Sequence, residues 1–443
     1  MHTVIFWFRK DLRLHDQRAL DAALKLAPDR LLPVYVRPPA DAVSPWVFPR
    51  SGPHRQAWQQ SGVDALARQL AALGCPLIEC VGDAPLRLMQ IARAVGARTI
   101  VCEAHAAPEE VAEEARLRAS LLEIGGELHT VWQTTLLDPA QLPWPATRLP
   151  STFTAFRHGI EGAGVEPDAP RPEPKTLPPW PGQAHELPPE ILAPRAFHPS
   201  DRDPRSSLPL GCAADSGADG AEAGGEAAAK AHLARYLARG LPHSYKATRD
   251  ALTGVDFSSK CSPWFATGAL SPRLFMAELR RFEAKSGTSE GSYWLWFEML
   301  WRDYFRFLHC QYGQRLYRAS GLASSSPPTH DAEAFARWCT GQTGNALVDA
   351  GMRELAATGF LSNRMRQIVA SYLIHDLGGD WRAGAAWFES RLIDFNVYSN
   401  QGNWLYIAGR GTDPRGGRRF NPARQAEIHD ADGSYRRQWG TLT

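Results

Sequence analysis

The chain has little of what usually announces a chemistry from sequence alone. Its seven cysteines (Cys75, Cys80, Cys102, Cys212, Cys261, Cys310, Cys339) form no CxxC pair and no cysteine–histidine spacing suited to a metal. That excludes a zinc ribbon and a disulfide framework; reduced, mostly buried thiols and no metal site are expected. No run approaches the roughly 18 consecutive apolar residues of a membrane helix. The start, Met1-His-Thr-Val-Ile-Phe-Trp-Phe8, lacks the basic region and cleavage site of a signal peptide, so a cytoplasmic protein with no membrane partner is expected. Charge of one sign is missing too: 49 Lys and Arg against 47 Asp and Glu leave a formal +2, which does not mark a nucleic-acid binder. No GxGxxG follows the first strand-like run, which counts against ordinary dinucleotide binding there. There is no internal repeat.

What remains is a globular composition, 44% hydrophobic and 22% charged, over 443 residues, enough for two buried cores. In residues 1–135, apolar β-branched runs alternate with amphipathic stretches. Val4–Phe8, Leu31–Val36, Leu77–Val81, Thr99–Cys102 and Leu128–Trp132 read as strands, and Gln56–Leu73, Pro85–Val95 and Glu109–Leu122 as helices. This alternation predicts a Rossmann-like α/β domain, an open parallel sheet that binds ligands beyond the carboxyl ends of its strands.

Residues 136–225 read as a long linker. Pro167, Pro170, Pro172, Pro174, Pro178, Pro179 and Pro181 break helix and strand alike, and a Gly/Ala/Asp-rich run, Gly211–Gly225, follows. Residues 226–443 read as an all-α domain. Ala227–Arg239, Pro272–Lys285, Tyr293–Tyr312, Ala346–Ala357 and Asn363–Leu377 repeat apolar residues every three or four positions. The last 43 residues hold seven arginines against four acids, with Arg410, Arg415, Arg418, Arg419 and Arg424 close together.

The helical half carries the chemistry. Asp256-Phe-Ser-Ser-Lys-Cys-Ser-Pro263 sets three hydroxyls and a cation just before a helix; this suits a bound phosphate, although a cluster of capping serines is the alternative. Tyr293–Phe305 is an aromatic helix with Glu298 and Trp301 on one face. A flat, hydrogen-bonding ligand would meet such a pair, but a plain core helix has the same appearance. Asn363, Arg364 and Arg366 open a later helix, and Asp394, Asn396, Asn400 and Asn403 crowd into an apolar stretch where they need partners if buried.

With these motifs in order, the whole chain resembles the photolyase/cryptochrome family, from Phe6-Trp-Phe-Arg-Lys-Asp-Leu-Arg-Leu14 to Gln438-Trp439. The motifs Glu298–Asp303, Asp349–Arg366, Asp394–Trp404 and Gly411–Gln425 carry the likeness. Tyr245-Lys-Ala-Thr-Arg249, Ser258-Ser-Lys260, Tyr293-Trp-Leu295, Asn403-Trp-Leu-Tyr406 and Gln367 are most similar to the DASH-type cryptochromes.

The resemblance implies one FAD per chain, folded into a U within the helical domain. Tyr245, Ser258, Ser259, Lys260, Cys261 and Ser262 would hold its phosphates, with Leu295, Phe395 and Asn396 also lining it. Arg366 and Asp394 would pair over the isoalloxazine, and Asn400 would face flavin N5. Glu298, Trp301, Arg302, Asn363, Arg364 and Tyr406 would line the cavity for a flipped lesion, with Arg249 and Gln425 near the DNA backbone. Glu298, Asn400, Trp404 and Trp381 would be the catalytic set. The implied activity is blue-light repair of cyclobutane pyrimidine dimers by a monomer acting preferentially on single-stranded or looped DNA. The alternative is a non-repairing flavin photoreceptor that binds nucleic acid, DNA or RNA.

Three positions depart from the family pattern. Trp404 and Trp381 match the first two tryptophans of its photoreduction chain, but the third falls on Pro328, with Trp338 the nearest candidate and Tyr317 another. Asn396 stands where aspartate is usual. The glutamate that contacts an antenna folate falls by spacing on His105, with Glu103, Glu109 and Glu110 close by, which counts against a second chromophore. Asn363, where six-four photolyases carry histidine, and the lack of cysteines after Cys339 argue against that specificity and the iron–sulfur branch.

Overall fold

The computed structural model describes residues 2–39, 41–182, 187, 203–208 and 223–440. The predicted Gly/Ala/Asp-rich run, up to residue 222, and Cys212 lie outside the described residues. The first part alternates β1 (Thr3–Phe8), α1 (Arg18–Lys25), β2 (Arg30–Arg37), α2 (Pro53–Ala72), β3 (Ile78–Val81), α3 (Ala84–Val95), β4 (Thr99–Glu103), α4 (Pro108–Glu123) and β5 (Glu127–Val131). The strands form one parallel sheet in the order β3-β2-β1-β4-β5. Every residue of β1 is buried because helices cover both faces, which is why its sequence is an unbroken apolar run. Ile5 and Trp7 pack towards Leu88, Ile91, Leu117 and Leu121 on one side; Val4, Phe6 and Phe8 pack towards Leu20, Val63, Leu66 and Leu70 on the other. Pro33 sits in β2 just before Val34, the first residue to pair with β3, where a missing N–H costs no bond on that side. The strand order reverses between β1 and β4, so a crevice opens beyond Phe8 and Glu103.

The helical part comprises α5 (Phe153–Gly162), α6 (Glu226–Ala238), α7 (Leu241–Thr248), α8 (Ser262–Thr267), α9 (Pro272–Ser286), α10 (Glu290–Tyr312), α11 (Ala332–Thr340), α12 (Ala346–Thr358), α13 (Asn363–Ser371), α14 (Trp381–Arg391), α15 (Val397–Ile407), α16 (Pro422–His429) and α17 (Ser434–Gln438). Three details differ from the sequence reading. α1 was not foreseen. The predicted linker contains α5, capped by Thr152 and burying Phe153, Phe156 and Ile160 in the helical core, each worth roughly 1.5–3 kcal/mol. The helix predicted over Asn363–Leu377 stops at Ser371 and continues as a π turn, Tyr372–Asp376. Six described cysteines are free, five of them buried, and no described group of side chains could hold a metal. Among the described residues no helix is long and apolar enough to cross a membrane.

The two parts are joined by buried charge. Asp16, between β1 and α1, accepts from Arg273 Nε of α9 at 2.8 Å, with both side chains at most 1% exposed. The same arginine donates to the carbonyls of Thr135 (2.9 Å) and Gln133 (2.8 Å). Arg13 donates to the carbonyls of Gly268 (2.8 Å), His15 (3.0 Å) and Asp16 (3.2 Å). Gly268 has φ +76°, and a Cβ there would lie 1.9 Å from the Lys10 carbonyl, so only glycine lets the two backbones meet. Asp303 of α10 accepts from Leu136 N (2.9 Å) and Leu137 N (2.8 Å); burial raises its carboxyl to about 6 against the pull of Arg302 and these donors. Removing one partner of such a pair strands a charge away from water. Asp16→Asn should therefore lower the unfolding free energy by about 3 kcal/mol, read from chemical denaturation. A loss well under 1 kcal/mol would mean that solvent already reaches the pair.

Candidate active site

Lys260 is the turning point of the loop between α7 and α8. Its backbone is left-handed (φ +54°), its side chain is 3% exposed, and Nζ lies 3.2 Å from the Phe257 ring and 3.5 Å from Ser207 Oγ. Burial holds its ammonium well below the usual lysine range, opposed by Glu354. Lys260 thus points inward, towards the side of Glu354, Arg366 and Asp394. The serines do not cap α8: Cys261 occupies the cap position without a side-chain bond. The loop is fixed by other means, through His232 Nε2 to Ser259 O (2.7 Å) and Thr248 Oγ1 to Phe257 O (3.0 Å).

The hydroxyls of Ser258 and Ser262 consequently have no partner among the described residues. Nearby on α6 the Tyr236 hydroxyl is buried and also lacks one there, while Tyr245 of α7 is partly buried. The buried Tyr236 hydroxyl without a partner implies a polar ligand, and together with the half-exposed Ser258 and exposed Ser262 hydroxyls it fits a diphosphate.

Arg366 of α13 donates through Nη2 to both oxygens of Asp394, at 3.0 and 2.8 Å, and through Nε to Leu361 O at 3.0 Å. The next residues start α15. Phe395 lies under the Arg55 guanidinium (4.5 Å), and Asn396 is the N-cap, accepting from Ser399 N at 3.2 Å. Asparagine caps a helix as well as aspartate does, so this departure keeps the helix while removing one charge. Asn400 donates through Nδ2 to Ala385 O at 3.0 Å, which leaves its Oδ1 for a ligand. Asn403 is exposed and needs no buried partner. Leu295 is buried on α10.

Trp404, 2% exposed, packs on Gly384, where a Cβ would come within 2.2 Å of its ring. Phe388 (5.1 Å) and Trp338 (6.4 Å) flank that ring. Trp381 is buried on the helix of Gly384 and donates to Ala319 O at 3.1 Å; Tyr317 OH lies 3.0 Å from His309.

At the mouth, Glu298 is ion-paired with Arg249, and burial pushes its carboxyl up against that pull. Trp301, one helical turn on, lies flat against Phe153 at 3.7 Å, with Tyr406 at 6.1 Å on its edge. Phe153 was missed from sequence because it falls in the predicted linker. Arg364 pairs with Asp250 at 2.8 Å. Asn363 is exposed at the start of α13. Gln425 of α16 buries an oxygen without a partner among the described residues. Arg302 departs from expectation: its guanidinium donates to Thr134 O in the joint between the two parts, not to the mouth. One residue is a 100° step on a helix, and that step carries Arg302 off the face of Trp301.

Residues 4–175 match DNA photolyase, and residues 294–441 match the FAD binding domain of DNA photolyase. The chain is 40% identical over 441 residues to cryptochrome DASH of Gloeobacter violaceus, covering 99% of this chain and 85% of that protein. It is 41% identical over 444 residues to cryptochrome DASH of Synechocystis, covering 99% and 87%. The crystal structure of a Synechocystis cryptochrome superposes with a TM-score of 0.91 at 40% identity, covering 99% of this chain and 88% of that one.

An antenna folate fits poorly. His105, at the position of the expected glutamate, is buried with Nδ1 3.1 Å from Tyr398 OH, the oxygen that also accepts from Ala106 N at 3.0 Å. Glu103 is paired with Arg306 (3.2 Å) and Glu109 with Arg50 (2.8 Å). His105 and Glu103 thereby tie the sheet to α15 and α10 of the helical part.

Glu354, 1% exposed on α12, receives the Tyr435 hydroxyl. Burial raises its carboxyl from 4.5 to about 7, against the pull of Tyr435, Lys260 and Arg366. A carboxyl raised on folding contributes stability that is present below its unfolded pKa and lost as pH rises through its folded one. Wild type should therefore lose ~3 kcal/mol relative to Glu354→Gln between pH 4.5 and about 7, by urea denaturation at each pH. A pH-independent difference would show that folding leaves the Glu354 carboxyl where it titrates in the unfolded chain.

Proposed function

The chain belongs to the photolyase/cryptochrome family and its helical part is an FAD-binding domain of the photolyase type; from that premise we propose that it repairs cyclobutane pyrimidine dimers under blue light, preferentially in single-stranded or looped DNA. The observation that carries this reading is the mouth itself, where a half-buried carboxyl (Glu298) stands one helical turn from an indole (Trp301) held flat by Phe153. A stacked base needs a broad apolar face, and a pyrimidine carbonyl that gains negative charge needs a donor. Trp301 offers the first. Burial raises the Glu298 carboxyl, which favours the protonated, donating form once Arg249 has turned to a phosphate.

Tyr236, Tyr245, Ser258 and Ser262 would hold the diphosphate of FAD, and Arg366, Asp394 and Asn400 its ring edge. When bound, FAD supplies the light-driven electron that opens the dimer and takes it back. The protein's share is to fix Asn400 through Ala385, to hold Arg366 and Asp394 together, and to aim Glu298 at the lesion. The preference for single strands rests on the likeness to DASH-type proteins, and the physics agrees. Extracting a dimer from a duplex costs a few kcal/mol of unpairing and unstacking, a cost that a single strand avoids. The protein would act as a monomer in the cytoplasm.

Two measurements test this. The fully reduced protein under blue light should split a dimer in a single-stranded oligonucleotide faster than in the matching duplex. No splitting in either would leave the photoreceptor reading in its place. Asp394→Asn should weaken FAD binding about tenfold, ~1.4 kcal/mol, seen as loss of flavin absorbance on purification. Undiminished flavin content would remove the Arg366–Asp394 pair from the cofactor site.

A further inference from the structure

Within one cluster at the mouth the charges cancel: Arg249 and Arg364 face Glu298 and Asp250, two cations against two carboxylates. Asp250 is the outward member. Its Oδ2 lies 2.8 Å from Arg364 Nη2 and its Oδ1 3.9 Å from Arg249 Nε; its side chain is 40% exposed, whereas those arginines are 17% and 19% exposed. It also stands two residues past the end of α7 (Leu241–Thr248), where the helix dipole disfavours an anion, so the arginines rather than the helix hold it there. Arg364 Nε is buried without a hydrogen-bond partner among the described residues, so this guanidinium retains a donor for a further oxygen.

We infer that Asp250 is an internal stand-in for a nucleic-acid phosphate, occupying Arg364 and Arg249 in the free protein and displaced when a strand enters. This rests on the reading that nucleic acid is bound at this mouth. The consequence is that Arg249 and Arg364 stay neutralised until a strand engages them. A passing strand must exchange one anion for another at Arg364 and gains little from charge alone, so affinity depends on what enters the cavity behind. Asp250 is therefore a specificity-determining residue that need not touch the base.

The test is the affinity of the FAD-loaded protein for an undamaged oligothymidylate, by fluorescence anisotropy across a salt series. Asp250→Asn should bind about three- to tenfold tighter than wild type at low salt, the range of exposed ion-pair energies for the two pairings that Asp250 makes with Arg364 and Arg249. Its log–log salt slope should steepen by up to ~0.7, the value for one further phosphate on a single strand. Asp250→Glu, which restores the anion, should return the affinity to that of wild type. In an Arg364→Ala background Asp250→Asn should keep only the smaller gain owed to the 3.9 Å contact with Arg249; an undiminished gain there would reduce Asp250 to a diffuse charge and overturn the inference. Equal affinity of wild type and Asp250→Asn, with both folded by their melting curves, would overturn it too. If neither protein binds the oligonucleotide, the reading of the mouth fails and the inference falls with it.

Discussion

The buried pair of Asp16 and Arg273 is the interaction on which the other parts of the site depend. Two charges removed from water are costly, and a single contact between them does not restore what hydration gave. Here the cost is offset by completeness. Arg273 also meets two backbone carbonyls, and Asp16 also accepts from Ser271, whose hydroxyl caps α9. Because Arg273 lies in the first turn of α9, and Gly268 just before it touches the Lys10 carbonyl, the α8–α9 corner has one position relative to the sheet. That corner ends the loop of Ser258, Lys260 and Ser262. A joint built from apolar contacts alone could slide; one built from directional bonds to backbone carbonyls has a single register.

Most of the fold was legible because its physics is local. Parallel strands covered on both faces are apolar runs, as β1, β2 and β4 are, while the half-buried edge strands β3 and β5 carry polar residues between their apolar ones. What escaped was decided by tertiary context. α1 has only eight residues and no side-chain cap, so nothing local marks its start. α5 does carry a signal, a capping Thr152 with Phe153, Phe156 and Ile160 at helical spacing, but the prolines that follow overshadowed it. The π turn after Ser371 adds a residue per hydrogen-bonded loop, and no residue pattern announces it.

The candidate site divides in the same way. Pairs close in sequence or on one helix face, such as Glu298 with Trp301, could be read directly. The partners of Glu298 and Trp301, Arg249 and Phe153, come from elements far along the chain. Lys260 shows the limit most clearly: a lysine amid serines reads as a surface phosphate ligand, yet its positive φ turns the side chain under Phe257. A charged residue type does not declare which way its backbone will aim it.

Two departures from the family pattern meet on one helix. Asn396 caps α15, and Tyr398, in the first turn of that helix, carries the hydrogen bonds to His105 and Ala106 at the end of the sheet. The same helix supplies Asn400, Trp404 and Tyr406. An aspartate at the cap would add charge to the dipole end of α15, and a glutamate in place of His105 would add a second buried anion beside Glu103, which already takes the Arg306 guanidinium. With both positions neutral, the α15 N-terminus is held by hydrogen bonds and stacking; burial keeps His105 uncharged, and its ring lies within 5° of parallel to Tyr398. The two substitutions are thus electrostatically consistent with each other. They add no charge to a crevice that already holds the Glu103–Arg306 pair, and they clamp the start of α15, the helix of Asn400 and Trp404, by hydrogen bonds instead.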